Sequence, residues 1–302
     1  MVAIHEWFDW TDGERTPNQV HGQRFAKTRI IFFDVKWMPP LVLPFTMIHD
    51  LSQTERIFEF LRCNHGWNDA YQKLEYRFSM MHCDSELERL TSQLYAIAYT
   101  QSAPSLTKLG PFWRALQTYT PKEMLTLADF TAFLESLHTP RQSSNAPWER
   151  LFHALATQPG WGDKTSALFV KATIQIHRGP SHLHFLADTE VAINLQANDT
   201  LYLPVDAVIK HIFKEIGFKR DPNFQSINKF LLDQKYSADD MLIWDDLWYW
   251  GFFTQVVRNK SRYLEWNRDK FWCQRTTPKG QESEIERLAE EFLLIIQEKD
   301  TD

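Results

Sequence analysis

Cysteine is nearly absent: Cys63, Cys83 and Cys273 are the three thiols in 302 residues, and they lie far apart. Three scattered cysteines suit neither a disulfide framework nor a four-cysteine metal or iron–sulfur site. Reduced thiols, no bound metal and no cofactor are the expectation. Long apolar runs are missing too, since no uncharged stretch approaches the roughly 20 residues of a membrane span. Met1 to Trp10 carries His5, Glu6 and Asp9 where a signal peptide would place a basic segment and an apolar core. A cytoplasmic protein without a membrane partner is expected. Internal repeats and low-complexity linkers are also lacking, which excludes solenoids and arrays.

What is present is ordinary in bulk and uneven in distribution. Hydrophobic residues make up 43% and charged residues 24% of the chain, values that exclude wholesale disorder. The length allows a large core, and a two-lobed monomer is the expectation. Twelve Trp and 22 Phe exceed what a core usually needs. Most should still be core, but aromatic faces also stack on bases. The formal charge of −6 counts against a protein that coats nucleic acid. Yet Val256 to Gly280 holds Arg258, Lys260, Arg262, Arg268, Lys270, Arg275 and Lys279 against only Glu265 and Asp269, while Gln281 to Asp302 is acidic. A docking protein with one basic face fits that distribution.

Ile30 to Phe33 and Leu41 to Leu43, broken by Pro39, Pro40 and Pro44, predict short strands between Thr28 and Phe45. Helical spacing follows at Leu51 to Leu61 and Ser85 to Tyr99, with Ser52 and Ser85 as caps. Short helices are predicted at Pro111–Leu116, Pro121–Leu127, Asp129–Leu137 and Pro147–Thr157, then one from Asp163 to Ile176. Arg178 to Leu203 reads as a small hairpin. Helices are expected again from Asp206 to Ile216, from Asp239 to Asn259 and from Ser283 to Gln297. The expected division is residues 1–84, an appendage with short strands and helices; 85–217, a helical core; and 218–302, helices completing a second lobe.

Two segments carry chemistry. Pro159-Gly160-Trp161-Gly162-Asp163-Lys164-Thr165 places two glycines at a joint between helices, where exposed amides and a helix dipole can hold a phosphate without a basic side chain. Lys164 is then a cation at the positive end of a dipole, a poor choice for stability. A partly desolvated amine sheds its proton more readily, as a nucleophile that forms a Schiff base must. Downstream, Leu203-Pro204-Val205-Asp206 sets a carboxylate at a helix start. Asp206 is a good N-cap, and a carboxylate fixed by capping is also preorganised to stabilise positive charge on a sugar or to activate a nucleophile.

Together these runs resemble the helix-hairpin-helix glycosylase superfamily, which includes endonuclease III and 8-oxoguanine glycosylase. The resemblance implies a mostly α, two-lobed fold and excision of a damaged or modified base from duplex DNA by base flipping, with Lys164 as Schiff-base nucleophile, Asp206 as its partner and accompanying lyase chemistry. It further implies Gly160, Gly162 and Thr165 at the DNA backbone, Gln101 as the wedge that fills the gap left by the base, Arg258 and Lys260 on DNA, and Trp250, Phe253 and Gln255 in the base pocket. A monofunctional glycosylase acting on modified DNA such as that of phage, with Lys164 on a phosphate, and a non-catalytic DNA-binding module remain open. The 42 residues from Lys164 to Asp206 are about twice the family's separation. Asp188 lies nearer to Lys164 but lacks the Pro-Val-Asp setting.

Overall fold

The computed structural model describes residues 51–298 except 102, 122, 123, 141, 143, 196–198 and 278. The strands expected between Thr28 and Phe45 lie outside the described residues. Helix α1 (Gln53–Met80) begins with a reciprocal cap: Glu55 N–H donates to the Ser52 hydroxyl, and Ser52 N–H donates to the Glu55 carboxylate. Ser85 and Glu88 start α2 (Glu86–Ala98) in the same way. α1 runs well past Leu61 because its inward side continues through Trp67, Tyr71, Tyr76 and Met80, with buried Asn64, Asn68 and Gln72 among them. Polar residues on that side hide its periodicity from a hydrophobic pattern.

Three central helices, α3 (Leu106–Leu116), α4 (Leu127–Leu137) and α5 (Pro147–Ala156), lead to α6 (Asp163–His177), with α5 packed against both α4 and α6. Pro111 lies inside α3 rather than opening it. Among the described residues of the stretch Pro121–Leu127, only Leu127 is helical, as the first residue of α4. Thr126 instead caps α4 from an extended backbone and accepts the Asp129 N–H.

The hairpin expected over 178–203 is also corrected: among its described residues there is a 3₁₀ turn at Ser181–Leu183 and a short helix, α7 (Glu190–Ile193), but no strand. Its apolar residues are buried one by one against the body instead of pairing with each other. Leu183, Phe185, Leu186, Leu201 and Leu203 are all buried, Ala187 N–H donates to Leu125 O, and the Asp188 carboxylate accepts Leu127 N–H at the start of α4. The competing carboxylate is therefore spent on α4.

Beyond α8 (Ala207–Glu215) and α9 (Phe224–Asp233), the single helix expected from Asp239 to Asn259 divides into α10 (Ala238–Trp244), α11 (Asp246–Phe253) and an antiparallel ribbon of β1 (Gln255–Arg258) and β2 (Ser261–Leu264). The helices part at Asp245, whose carboxylate is drawn inward, and the ribbon turns at Asn259 and Lys260 with φ of 52° and 65°. α12 (Arg268–Cys273) and α13 (Glu282–Gln297) follow. α1 packs on α2, α6, α10, α11 and α13, so residues before 85 share the core of those after 218. α4, α5, α6 and α7 form the other group. Trp148, Trp244, Trp250, Tyr249 and Phe112 are among the largest fully buried side chains; Trp244 packs on Phe58, Trp250 on Phe60 and Tyr249 on Tyr71, all three in the α1 group. The chain as described is mostly helical, and none of its helices is long and apolar enough to cross a membrane.

Candidate active site

The turn that starts α6 is built to one shape. Gln158, buried at the end of α5, donates to Leu134 O and Ala154 O and accepts Trp161 N–H on its own carbonyl. Trp161 is buried against Phe112 and Phe169. Between them Gly160 has φ of 83°, and a Cβ there would stand 2.7 Å from the Leu109 side chain and 3.0 Å from its backbone nitrogen. Only glycine fits. Gly162, with extended backbone and open space around it, is the N-cap. Its N–H donates to the Thr165 hydroxyl, which donates to Gly162 O, both at 3.0 Å. Thr165 is buried and spent on this cap, so its expected contact with DNA is corrected. The N–H groups of Asp163 and Lys164 have no acceptor among the described residues.

Lys164 and Asp206 meet in one cleft of about 520 Å³. α6 contributes Lys164, Leu168 and Lys171; the start of α8 contributes Asp206 and Lys210; α11 adds Trp248 and Phe252. α8 reaches this place because Gly251 lets α11 approach it so closely that a Cβ would stand 2.6 Å from Val208 and 2.7 Å from Ile212. Asp206 accepts Ile209 N–H at 2.9 Å, which fixes its carboxylate as the cap of α8. Burial raises its pKa above the ordinary carboxylate value, against the pull of the Lys164 ammonium, the Ile209 and Val208 amides and the Arg262 guanidinium. The two groups that chemistry would pair thus feel each other's charge.

Known protein families, curated proteins and solved structures were compared with the chain, and none matches. What the cleft can do is therefore read from its own atoms. Five cations (Lys164, Lys171, Lys210, Arg262 and Lys270) line it against two carboxylates, Asp206 and Asp245, in a chain whose formal charge is −6. Such a concentration of positive charge favours a polyanion. A second cavity, about 500 Å³ and lined by Phe152, Tyr202 and Phe224, has Lys229 as its lysine, and Asp233 pairs with it.

The floor of the cleft was not foreseen. Lys171 and Asp245, both buried, form an ion pair, and Asp245 also accepts from Gln72 at 3.2 Å. Behind them Gln72 donates to Asn68, Asn68 donates to Asp246 at 2.6 Å, and His65 Nδ1 lies 2.8 Å from the other Asp246 oxygen. Burial pushes Asp246 up to about 6, although His65 and Asn68 favour its charged form. Burial disfavours the His65 imidazolium, but the hydrogen bond to Asp246 together with the charges of Asp246 and Asp69 outweighs this and holds its pKa above the ordinary value. This polar chain runs from a half-exposed histidine to the cleft.

The aromatic face is also corrected. Trp250 and Phe253 are fully buried, Trp250 edge-on to Phe60 at 5.2 Å, and Gln255 is a strut that donates to Val208 O and accepts from Arg262. None of the three lines the cleft. Trp248 and Phe252 on the opposite side of α11 do, stacked at 5.5 Å with the Lys270 ammonium 4.6 Å above Phe252. Gln101 is half-buried beside the glycine turn, its amide donating to Ala98 O and, at 3.3 Å, to Gly160 O; its neighbour Thr100 faces the cleft. Arg258, paired with Glu265, and Lys260 lie out on the ribbon. Among the described residues no cluster of three or more His, Cys, Asp or Glu could hold a metal ion. The seven-residue spacing of Lys164 and Lys171, two helical turns, and the four-residue spacing of Trp248 and Phe252 are the sequence signals that could have found these groups.

Proposed function

We propose that this protein is a DNA glycosylase of the helix-hairpin-helix type, which takes a damaged or modified base out of duplex DNA and into this cleft. The observation that carries the reading is the meeting of Lys164 and Asp206 in a cationic cleft although they are 42 positions apart in sequence. The free first-turn amides of α6 offer a seat for a phosphate. Trp248 and Phe252 offer aromatic faces to the extruded base, whose edge would face Lys171 and Asp245.

In this mechanism the neutral Lys164 amine attacks C1′ of the sugar. The C1′–N bond to the base breaks and its electron pair leaves with the base, which takes up a proton. Positive charge on the sugar is stabilised by the ionised Asp206 carboxylate, held in place by its cap on α8. Opening of the sugar ring then leaves a Lys164–C1′ imine, and loss of a C2′ proton breaks the C3′–O bond by β-elimination.

Borohydride trapping tests this directly. Wild type incubated with an oligonucleotide containing an abasic site should form a stable secondary amine, and Lys164→Ala should form none. Base release without any adduct would replace the Schiff-base mechanism by a monofunctional one in which Lys164 holds a phosphate. Salt-sensitive binding with neither adduct nor base release would leave a binding module.

A further inference from the structure

The β1–β2 ribbon has no structural task that accounts for its surface. Its main packing is with itself: β1 pairs with β2 in the register Val256 to Tyr263 and Val257 to Arg262, and Leu264 at its root rests on the core. Those pairs alternate between faces. Val257 is 52% exposed on one face and Tyr263 48% exposed on the other, so both sides of the ribbon present an apolar residue to solvent. An isolated two-stranded ribbon is at best marginal in water. This one is held at its root, where Glu265 N–H donates to Thr254 O, Asn267 N–H to Phe253 O and Gln255 to Val208 O beside Asp206.

Its charge and place indicate what covers it. Arg262, bonded to Gln255 at 3.3 Å, lines the cleft, while Lys260 stands at the turn without a partner among the described residues. Four residues per strand extend the ribbon by about 13 Å. Arg262 on β2 and Lys260 at the turn are two residues apart, close enough to reach neighbouring phosphates of one DNA strand. A two-stranded ribbon is also narrow enough for a DNA groove.

We propose that the β1–β2 ribbon is a duplex clamp: Arg262 binds the phosphate of the extruded nucleotide at the rim of the cleft, Lys260 binds a neighbouring phosphate of the same strand, and Val257 and Tyr263 bear on the duplex beside them. The assignment rests on the glycosylase reading and adds to it the residues that grip the duplex beside the cleft.

Binding rather than catalysis tests it. The probe is a labelled duplex with a tetrahydrofuran abasic analogue, alongside the same strand alone, titrated at several salt concentrations. Removing both cations (Lys260→Ala with Arg262→Ala) should lower the slope of log affinity against log salt by about 2, since each phosphate contact contributes about 0.9. Replacing Val257 and Tyr263 by Ser should weaken duplex binding about tenfold and single-strand binding much less. Thermal unfolding of the Val257 and Tyr263 variant should match wild type, because both side chains are half-exposed, and the Lys260 and Arg262 variant should lose no more than the one hydrogen bond from Arg262 to Gln255. Duplex affinity and salt slope equal to wild type would overturn the clamp. If wild type still gives the Lys164 adduct, only the clamp falls; wild type that binds no DNA removes both readings.

Discussion

Asp206 caps α8, and substitution separates that task from the catalytic one proposed for it. As a cap it accepts Ile209 N–H at 2.9 Å, and asparagine caps as well as aspartate, so Asp206→Asn keeps α8 anchored while Asp206→Ala costs about 1 kcal/mol. In a chain of this size that is a fall of about 2–4 °C in Tm. Asparagine also removes a charge that burial disfavours. A carboxylate whose folded pKa is raised gives its full stabilisation only below its unfolded pKa and loses it as pH rises through the folded one. Asp206→Asn should therefore be at least as stable as wild type at pH 7.5, with any advantage shrinking as pH falls. As a catalytic group, the ionised carboxylate has no substitute, and single-turnover base release by Asp206→Asn should drop about 10²- to 10⁴-fold. The wild-type rate should fall on the acid side at a pH above the ordinary carboxylate range, because the group that must be ionised has its pKa raised by burial. Differential scanning fluorimetry and single-turnover assays from pH 4.5 to 8.5 measure both. An Asp206→Asn enzyme within twofold of wild type, or one as unstable as Asp206→Ala, would refute this division of labour.

The glycine turn gives a contrast of its own. Gly160→Ala meets left-handed strain of about 1–2 kcal/mol and a Leu109 backbone atom that cannot step aside, worth about 1–3 kcal/mol more, whereas a methyl group at Gly162 meets open space. Thermal unfolding should show a loss of several degrees for Gly160→Ala and little for Gly162→Ala; equal losses would remove the geometric account. His177 should govern acid stability: burial, aided by the charge of His184, depresses it to about 3, and its Nε2 receives Phe185 and Leu186 N–H. The stability tied to its neutral form is fully present above about 6.5 and is lost as pH falls towards 3, about 2 kcal/mol by pH 5. His177→Gln keeps an acceptor and drops the titration, so denaturant unfolding at pH 7.5 and 5 should show wild type losing about that much more than the variant, and parallel losses would exclude the effect.

Capping and glycine signals were legible because they are local. Ser52, Ser85 and Asp206 cap the helices they were expected to cap, and Gly160 and Gly162 form the turn before α6. The reading failed where side chains a long way apart in sequence decide the backbone. The break between α10 and α11 follows Asp245 to Lys171 and Gln72, more than 70 and 170 residues away, and no local pattern marks it. Which aromatic residues of α11 face the cleft is hidden in the sequence for a related reason. The helix is apolar on all sides, so nothing in its periodicity distinguishes Trp250 and Phe253, which fill the core, from Trp248 and Phe252, which face the cleft.

The long separation of Lys164 and Asp206 has a similar resolution. Doubling a flexible connection adds only about 0.6 kcal/mol of closure entropy, so extra chain between two groups is a weak objection if both ends are held. Here the connection is pinned along its course. Arg89 donates to His184 O, Trp148 Nε1 to Val191 O, and the Tyr202 hydroxyl to Glu149. Just before Pro204, the Asn228 amide from α9 grips Leu203 on both sides, accepting its N–H at 2.6 Å and donating to its carbonyl at 3.0 Å. The chain therefore enters the Pro-Val-Asp run from a fixed point however long its path. The start of α8 is then fixed against α11 at Gly251. What brings Lys164 and Asp206 together is the placement of two helix N-termini, and the residues that hold it, Asn228 and Gly251, lie outside both the glycine run and the Pro-Val-Asp run.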